Sequence, residues 1–254
     1  MRRNGPDYML IGAQKAGSTW IYENLIRHPH IDTPEIYPEV GETELTRKEI
    51  TFFNDYHRHA MGKEFYLKRF DHVSNVGRIV GDHTYTYHDM PAWAEKEVAD
   101  WFPMLKVILS IRNPVDRAWS QAKMHFRIYH GQNVREVPER DVLYFFAEHY
   151  KFGCYTASMA VWKKHIPEHR FKIVWFEDIA QKPLKLLGRL CEFLGVSAPN
   201  PEDGYPLETK FVKGSEEPMP QNYRRFLEQM FEPEIRALGT QYPHIIDRWM
   251  DKNK

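Results

Sequence analysis

Short, nearly continuous apolar runs alternate along the chain with segments whose apolar residues recur at helical spacing. The apolar runs predict strands at residues 8–12, 78–81, 106–111 and 171–176. The other segments predict helices at residues 18–27, 114–126, 155–165 and 183–194. Strands without polar alternation are buried on both faces, which is typical of parallel sheets. The pattern therefore predicts one α/β domain over residues 1–254, a central parallel β-sheet flanked by helices.

Composition narrows the class of protein. Among 254 residues, 35 Lys and Arg balance 35 Asp and Glu, so no global basic field for nucleic acid is expected. No apolar run approaches the roughly 18 residues of a membrane-spanning helix. The two cysteines, Cys154 and Cys191, are too few for a disulfide framework or a zinc cluster. We expect a cytoplasmic, reduced protein without a metal, a nucleic-acid partner or a membrane span. Segments 29–60 and 196–222 are rich in Pro, Glu and Gly and are predicted as long loops, which are often functional.

The first strand runs directly into a glycine-containing turn. Gly12 and Gly17 are five positions apart, and Ser18 and Thr19 follow at the predicted helix start. Such a turn directs backbone N–H groups and a helix amino end at one point, which suits a phosphate or a sulfate. The triphosphate-binding loop GxxxxGK[ST] has a lysine where this chain has Ser18, whereas here the lysine lies within the loop, at Lys15. The pattern also fits an ordinary strand–turn–helix connection.

A second basic segment follows the most apolar strand. Arg112 comes directly after that strand, Pro114 marks a helix start and Ser120 lies two turns further on. The carboxyl ends of parallel strands share one ligand-binding edge, so we expect Arg112 near the first turn. Arg112 offers a forked cation and Ser120 a hydroxyl, as a second phosphate would require. Asp116 and Arg117 fit structural ion pairs equally well.

These segments resemble the sulfotransferases that use 3′-phosphoadenosine 5′-phosphosulfate (PAPS). Residues 12–20 resemble the family's 5′-phosphosulfate loop, and residues 112–120 resemble its 3′-phosphate motif. Lys48-Glu49 followed by Phe52-Phe53 resembles the KE-x-x-FF element of the carbohydrate-type members. Three weaker similarities are Asp82-His83-Thr84, Gly153-Cys154-Tyr155 with Trp162 and Pro167, and Lys213-Gly214 in the late nucleotide loop. The resemblance extends from about residue 7 to about residue 240.

The resemblance implies a fold, a donor and a set of site residues. The fold is that of the P-loop-containing nucleotide hydrolases, and the donor is PAPS, which leaves 3′,5′-ADP as product. The implied donor-binding residues are Lys15, Ala16, Gly17, Ser18, Thr19, Trp20, Arg112, Ser120, Lys213 and Gly214. Lys15 is the candidate for stabilising the charge of the transition state. Glu49 is the first candidate for the general base and His83 the second. A capping or ion-pair role for Glu49 and a structural role for His83 stay open.

We therefore expect transfer of a sulfuryl group to a hydroxyl or an amine of a small metabolite or a carbohydrate. One alternative is a P-loop kinase-like phosphotransferase, against which Ser18 in the lysine position argues. Another is a non-catalytic nucleotide- or glycan-binding module on the same scaffold. Tyr85, Tyr87, Trp93 and Tyr129 are either acceptor-lining or core aromatics. The zero net charge argues against a long polyanionic glycan.

Overall fold

A computed structural model of the chain describes residues 4–34, 49–73, 77–209 and 217–250. In this part of the chain five parallel strands form one sheet in the order β2-β3-β1-β4-β5. The strands are β1 (Tyr8–Gly12), β2 (Ile31–Asp32), β3 (Ile79–Asp82), β4 (Lys106–Ile111) and β5 (Phe171–Trp175). The predicted central parallel sheet is confirmed.

Helices cover the sheet and extend beyond its edge. They are α1 (Ser18–Leu25), α2 (Tyr56–Ala60), α3 (Lys63–Leu67), α4 (Ala92–Trp101), α5 (Pro114–His130), α6 (Glu139–Glu148), α7 (Tyr155–His165), α8 (Phe176–Gln181), α9 (Pro183–Leu194), α10 (Gln221–Gln241) and α11 (Pro243–Met250). None of the helices in the described ranges is long and apolar enough to cross a membrane.

Most of the predicted elements agree with the structure, and the differences have local causes. Strands β1 and β4 and helices α7 and α9 have their predicted bounds. Helix α5 continues four residues past Phe126, until Gly131 ends it in a left-handed conformation with φ 63°. The segment 29–60, predicted as a loop, contains the short strand β2 and helix α2. The two-residue strand is too short for hydrophobic periodicity to show.

Two buried clusters cover the two faces of the sheet. Alternate residues of β1 point to opposite faces, with Met9 and Ile11 in one cluster and Tyr8 and Leu10 in the other. All five residues of β1 are buried, as the continuous apolar run predicted. A third cluster packs α5, α6 and α10 together beside the sheet.

The parallel strands place several loops at one edge. Tyr8 of β1 is in register with Gly81 of β3 and with Lys106 of β4. The turn after Gly12, the segment after Asp82 and the segment after Ile111 therefore leave the sheet side by side. This edge carries the candidate active site.

Candidate active site

The turn after β1 has the backbone of an anion-binding loop. Gly12, Lys15 and Gly17 all have positive φ, at 138°, 66° and 93°. Ala13 N–H donates to the Ser110 carbonyl at 2.7 Å, which ties the turn to β4. The first bond of α1 runs from Ile21 N–H to the Gly17 carbonyl at 3.1 Å, and no side chain in the described residues caps this helix. The N–H groups ahead of Ile21 therefore stand at the positive end of the helix dipole, where an anion is favoured.

Both glycines of the turn are enclosed by neighbouring atoms. A Cβ atom on Gly12 would lie 2.4 Å from the Tyr85 carbonyl oxygen and 2.7 Å from His88 Nδ1. A Cβ atom on Gly17 would lie 2.3 Å from Ile179 Cδ1 of α8. These positions require glycine both for the close approach and for the positive φ.

The two predicted cations, Lys15 and Arg112, lie together. Arg112 Nη1 donates to the Lys15 carbonyl at 3.3 Å, and the guanidinium carbon lies 4.4 Å from the centre of the Phe176 ring. Arg112 is half-buried, and this burial lowers its pKa, whereas the nearby Asp116, Tyr155 and Glu177 raise it. The Lys15 ammonium reaches across to Met124 of α5, with Nζ 3.7 Å from Sδ. Ser120 lies one turn before Met124 on the same helix.

Three of the predicted donor-binding residues are packed beside the turn. Ala16 and Ser18 are buried, and the Ser110 hydroxyl donates to the Ala16 carbonyl. Trp20 is also buried, and its Nε1 donates to the Leu207 carbonyl at 2.9 Å. Thr19 is half-buried. The predicted residues Lys213 and Gly214, and Lys48 beside Glu49, lie outside the described residues.

Glu49, the first candidate for the base, is held by the segment after β3. The Thr84 hydroxyl donates to Asp82 Oδ1 at 2.7 Å and accepts from Ile50 N–H at 3.1 Å. Glu49 is 3% exposed. Burial raises the pKa of the Tyr85 phenol, and the neighbouring charge of Glu49 raises it further. Thus the structure places Glu49 beside Tyr85.

Tyr85 connects Glu49 to the anion-binding turn. Its hydroxyl is hydrogen-bonded to the Gln14 side chain, and Tyr129 lies close enough to influence its ionisation. Tyr129 is exposed on α5. Of the four aromatic residues considered for the acceptor site, Tyr85 and Tyr129 lie here, whereas Trp93 packs on His59 with ring centres 4.7 Å apart.

Tyr87 is a core residue beneath the site. It is fully buried, and its hydroxyl accepts from Phe52 N–H at 2.9 Å. It also bonds the buried Asp82, which accepts from the Tyr66 hydroxyl at 2.8 Å. Burial raises the pKa of Asp82 to about 6, although these hydrogen bonds oppose the shift. The network fixes the strand end from which Thr84 and Tyr85 extend.

His83, the second candidate for the base, points to the other side of this strand end. Its Nε2 lies 2.9 Å from the Tyr8 hydroxyl, and its ring packs edge-on against Tyr22 at 4.9 Å between centres. Asp82 and Thr84 bond to each other on the opposite face, as alternation along an extended chain requires. His83 thus contacts β1 and α1, whereas the charge of Glu49 acts on Tyr85.

Two further basic residues of α5 belong to the surroundings of the site: Arg117, for which a structural ion pair was expected, and Lys123, which no motif indicated. Arg117 is fully buried and donates from Nη1 to Gln121 Oε1 at 2.9 Å; its Nε and Nη2 atoms have no hydrogen-bond partner among the described residues. An ion pair was expected for Asp116 or Arg117. The structure shows one for Asp116, whose Oδ1 lies 3.8 Å from Arg224 Nη2. Lys123 lies close enough to Arg112 for the two positive charges to interact.

Comparison with known proteins assigns the family. The family model described as the sulfotransferase domain matches residues 5–229. The chain belongs to the sulfotransferase domain family, and the predicted family is confirmed.

Individual relatives agree with this assignment. The bifunctional heparan sulfate N-deacetylase/N-sulfotransferase 1 of Caenorhabditis briggsae is 27% identical over 222 residues, which are 82% of this chain and 24% of that protein. The membrane-associated sulfotransferase kil1 of Dictyostelium discoideum is 31% identical over 125 residues, which are 48% of this chain and 23% of that protein. The chain thus spans about a quarter of the length of these curated relatives.

Solved structures confirm the predicted fold class. A sulfotransferase from Alicyclobacillus acidocaldarius superposes with a TM-score of 0.68 at 23% identity and covers 93% of this chain and 95% of that one. A mouse sulfotransferase complexed with PAP gives a TM-score of 0.55 at 15% identity and covers 94% of this chain and 89% of that one. Both show the sulfotransferase fold at the level of architecture.

Proposed function

We propose that this chain transfers a sulfuryl group from PAPS to a hydroxyl or an amine of an acceptor and releases 3′,5′-ADP. One observation carries the proposal: the glycine turn and the segment after β4 meet, with Arg112 Nη1 3.3 Å from the Lys15 carbonyl. Two cations from distant parts of the chain thereby face one edge of the sheet. A nucleotide with two separated anionic groups matches this arrangement.

The residues present fit the donor. The uncapped amino end of α1, with the turn and Lys15, suits the 5′-phosphosulfate. Arg112 and Ser120 suit the 3′-phosphate, because a guanidinium and a hydroxyl both donate hydrogen bonds to phosphate oxygens. When bound, PAPS supplies the activated sulfuryl group. Lys213 and Gly214 stay predictions for the same phosphate.

The chain's own residues then act by position and by charge. Sulfuryl transfer, like phosphoryl transfer, passes through a loose in-line transition state, so catalysis depends on alignment and charge stabilisation. Lys15 stabilises the negative charge that grows on the leaving 5′-phosphate as the sulfur–oxygen bond breaks. Glu49 accepts the proton that the acceptor loses as its oxygen or nitrogen bonds to sulfur.

Glu49 is preferred over His83 as base because of where each side chain lies. Glu49 neighbours Tyr85, which is bonded to Gln14 within the anion-binding turn. His83 contacts Tyr8 and Tyr22 on the other side. With Glu49→Gln we expect turnover to fall about 100-fold or more while 3′,5′-ADP still binds. If Glu49→Gln keeps full turnover and His83→Asn loses it, the base is His83.

The proposed acceptor is a carbohydrate or a small hydroxylated or aminated molecule. The names of the relatives from Caenorhabditis and other animals refer to N-sulfation of heparan sulfate, which supports an acceptor of this kind. The aromatic side chains of Tyr85 and Tyr129 beside Glu49 offer ring faces for stacking. A cytoplasmic location stays a prediction from the two free cysteines, Cys154 and Cys191, and cell fractionation tests it.

A transfer assay tests the proposed function. Purified protein is incubated with ³⁵S-labelled PAPS and a panel of carbohydrate, phenol and amine acceptors, and the labelled products are separated. We expect label on at least one acceptor, with none when Lys15→Ala replaces the wild type. Binding of MgATP in preference to 3′,5′-ADP would instead support the kinase-like alternative. Tight 3′,5′-ADP binding with no turnover on any acceptor would support a binding module.

A further inference from the structure

One face of α5 is turned toward the donor site. Lys123 and Met124 follow Ser120 by three and four positions, and Arg127 follows them by four and three, so the four residues share one side of the helix. The Lys15 ammonium touches this face at Met124, with Nζ 3.7 Å from Sδ. Lys123 therefore neighbours Ser120 on the helix surface and is next in sequence to the methionine that Lys15 reaches.

Within the described ranges, two arginines and one glutamate act on the charge of Lys123. Lys123 is half-buried, and burial lowers its pKa. The positive charges of Arg112 and Arg127 lower the pKa further, and Glu217 opposes them. Glu217 is shared with Arg135, whose Nε lies 3.7 Å from Glu217 Oε2. The folded chain thus holds Lys123 and Arg112 close together at a cost in repulsion, which a bound dianion would offset.

We propose that Lys123 is a third donor to the 3′-phosphate of the nucleotide, beside Arg112 and Ser120. The inference rests on the proposed function, because it assumes that PAPS occupies this edge. A phosphate monoester carries a charge of about −1.5 to −2 at pH 7. Arg112 supplies one positive charge, and the ammonium of Lys123 supplies a second at the adjacent helix position. Lys123 therefore sets the preference for 3′-phosphorylated nucleotides.

A purely structural role for Lys123 makes a different prediction. Its Nζ lies 5.8 Å from the centre of the Trp119 ring, a cation–π distance. Lys172 has the same relation to Phe193, also at 5.8 Å, and lies on β5 outside the proposed site. Lys172→Met is therefore a matched control for loss of a lysine that rests on an aromatic ring.

Calorimetric titration with two nucleotides tests the proposal. Binding of 3′,5′-ADP and of 5′-AMP, which lacks the 3′-phosphate, is measured for the wild type, Lys123→Met, Lys123→Arg and Lys172→Met. We expect Lys123→Met to weaken 3′,5′-ADP about 10- to 100-fold and to change 5′-AMP less than about twofold, as loss of one charged hydrogen bond predicts. Lys123→Arg keeps most of the affinity, and Lys172→Met changes neither nucleotide.

The outcomes separate the two proposals. If the wild type prefers 3′,5′-ADP but Lys123→Met keeps that preference, the role of Lys123 is refuted and the proposed function stands. Equal weakening of both nucleotides by Lys123→Met also refutes it, because the residue would then act on the fold or on the 5′ end. If the wild type does not distinguish the nucleotides, both proposals fail.

Discussion

Lys15 has a strained backbone conformation, and its side chain is the proposed cation of the donor site. Its φ of 66° is unusual for a residue with a side chain, and such a conformation costs roughly 1–2 kcal/mol. Arg112 helps to maintain it through the bond to the Lys15 carbonyl. The Lys15 ammonium lies over α5, at Met124, where the proposed donor would bind.

Replacement of Lys15 tests its proposed role in the transition state. For Lys15→Met we expect kcat to fall about 10²- to 10³-fold, because one preorganised donor to the leaving group is lost. The thermal midpoint should change little, since the side chain is half-buried. Steady-state kinetics with labelled PAPS measures the effect, and Lys96→Met, which removes a surface pair with Asp100, is the control. Unchanged kcat in Lys15→Met would remove Lys15 from the mechanism.

His88, which lies beside the glycine turn, should make the stability of the fold depend on pH in the acid range. It is 1% exposed, lies against Gly12, and burial lowers its pKa to about 4. Its folded-state pKa lies below its unfolded value of about 6.5. The neutral ring therefore stabilises the fold above pH 6.5, and this contribution is lost as the pH falls toward 4.

The expected loss is about 3 kcal/mol of unfolding free energy between pH 7 and pH 4 that is attributable to His88. Urea unfolding at several pH values measures it, and His88→Gln should show a shallower acid dependence. Proton NMR of the His88 ring in the wild type is a direct check that needs no variant. A ring that titrates near pH 6.5 in the folded protein would contradict the prediction.

Single residues were predictable only where a motif surrounded them. The spacing of Gly12 and Gly17 and the position of Arg112 after a strand placed Lys15 and Arg112 at one edge, and the structure brings them together. The side to which His83 points was not predictable, because the strand's contacts with Tyr8 and Tyr22 decide it. Lys123 was missed because an isolated lysine on an amphipathic helix resembles any solvated residue.

The turn between β1 and α1 is the most constrained element. Gly12→Ala would place a methyl group 2.4 Å from the backbone carbonyl of Tyr85 at a φ of 138°. We expect a loss of more than about 2 kcal/mol of unfolding free energy and of nucleotide binding, since neither strain nor clash can relax cheaply. Urea unfolding and 3′,5′-ADP titration measure both effects.

Gly188→Ala is the matched control for this prediction. Gly188 lies inside α9, and a Cβ atom there meets nothing within 4 Å. Alanine should therefore stabilise the helix by about 0.5–1 kcal/mol. If Gly12→Ala is as stable as the wild type, the turn can accommodate a methyl group and the prediction is wrong.

Helix α7 receives its amino-terminal cap from another helix. Glu234 of α10 accepts from Thr156 N–H at 2.8 Å and from the Thr156 hydroxyl at 2.6 Å. Glu234→Ala should cost about 2 kcal/mol, because the half-buried N–H and hydroxyl of Thr156 lose their acceptor and a favourable charge at the helix amino end is lost. The exposed Glu232, paired with Arg236, is the control, and Glu232→Ala should change stability by less than about 0.5 kcal/mol.

Chemical unfolding checks this cap. It is measured for Glu234→Ala, for Thr156→Ala and for the double variant that carries both substitutions. Additive losses would mean that the Thr156 hydroxyl does not contribute to the cap, since alanine keeps the backbone N–H. The cap also shows why contacts between helices could not be predicted from the sequence. Periodicity gave the bounds of α7, but Glu234, which caps it, is 78 positions from Thr156 along the chain.

On the scale of the whole chain, the last described helices pack back onto earlier ones. Helix α10 packs on α5 and α7, and the Phe231 ring stacks on Tyr150 at 5.2 Å between centres. A Cβ atom on Gly153 would lie 2.5 Å from Phe231, so this contact is tight. Arg248 of α11 lies 3.2 Å from Asp178, which also pairs with Arg189 of α9. One domain over residues 1–254 stays a prediction, with which the packing of these helices agrees.

Scanning calorimetry tests the single domain. We expect one transition in which the calorimetric and van't Hoff enthalpies agree, because Leu238 of α10 lies in the same buried cluster as Met9 of β1 and Val107 of β4. Limited proteolysis should likewise yield no stable fragment that ends between β4 and β5. Two separate unfolding transitions would show two cooperative units and contradict the single domain.

The architecture was predictable in outline because buried parallel strands have an unmistakable apolar signature. The packing of α10 and α11 was not, since it depends on contacts between residues far apart in the chain. The proposed acceptor site depends on side-chain directions such as those of Tyr85 and Glu49, which no pattern of residue types specifies.

Ser110 fastens the anion-binding turn twice, through its carbonyl to Ala13 and through its hydroxyl to Ala16. The cradle is thus already shaped before any nucleotide arrives. Because the turn is already ordered, binding costs the protein little loop entropy. Association should therefore be fast and almost free of backbone rearrangement. Discrimination among donors would then reside in how quickly each one leaves.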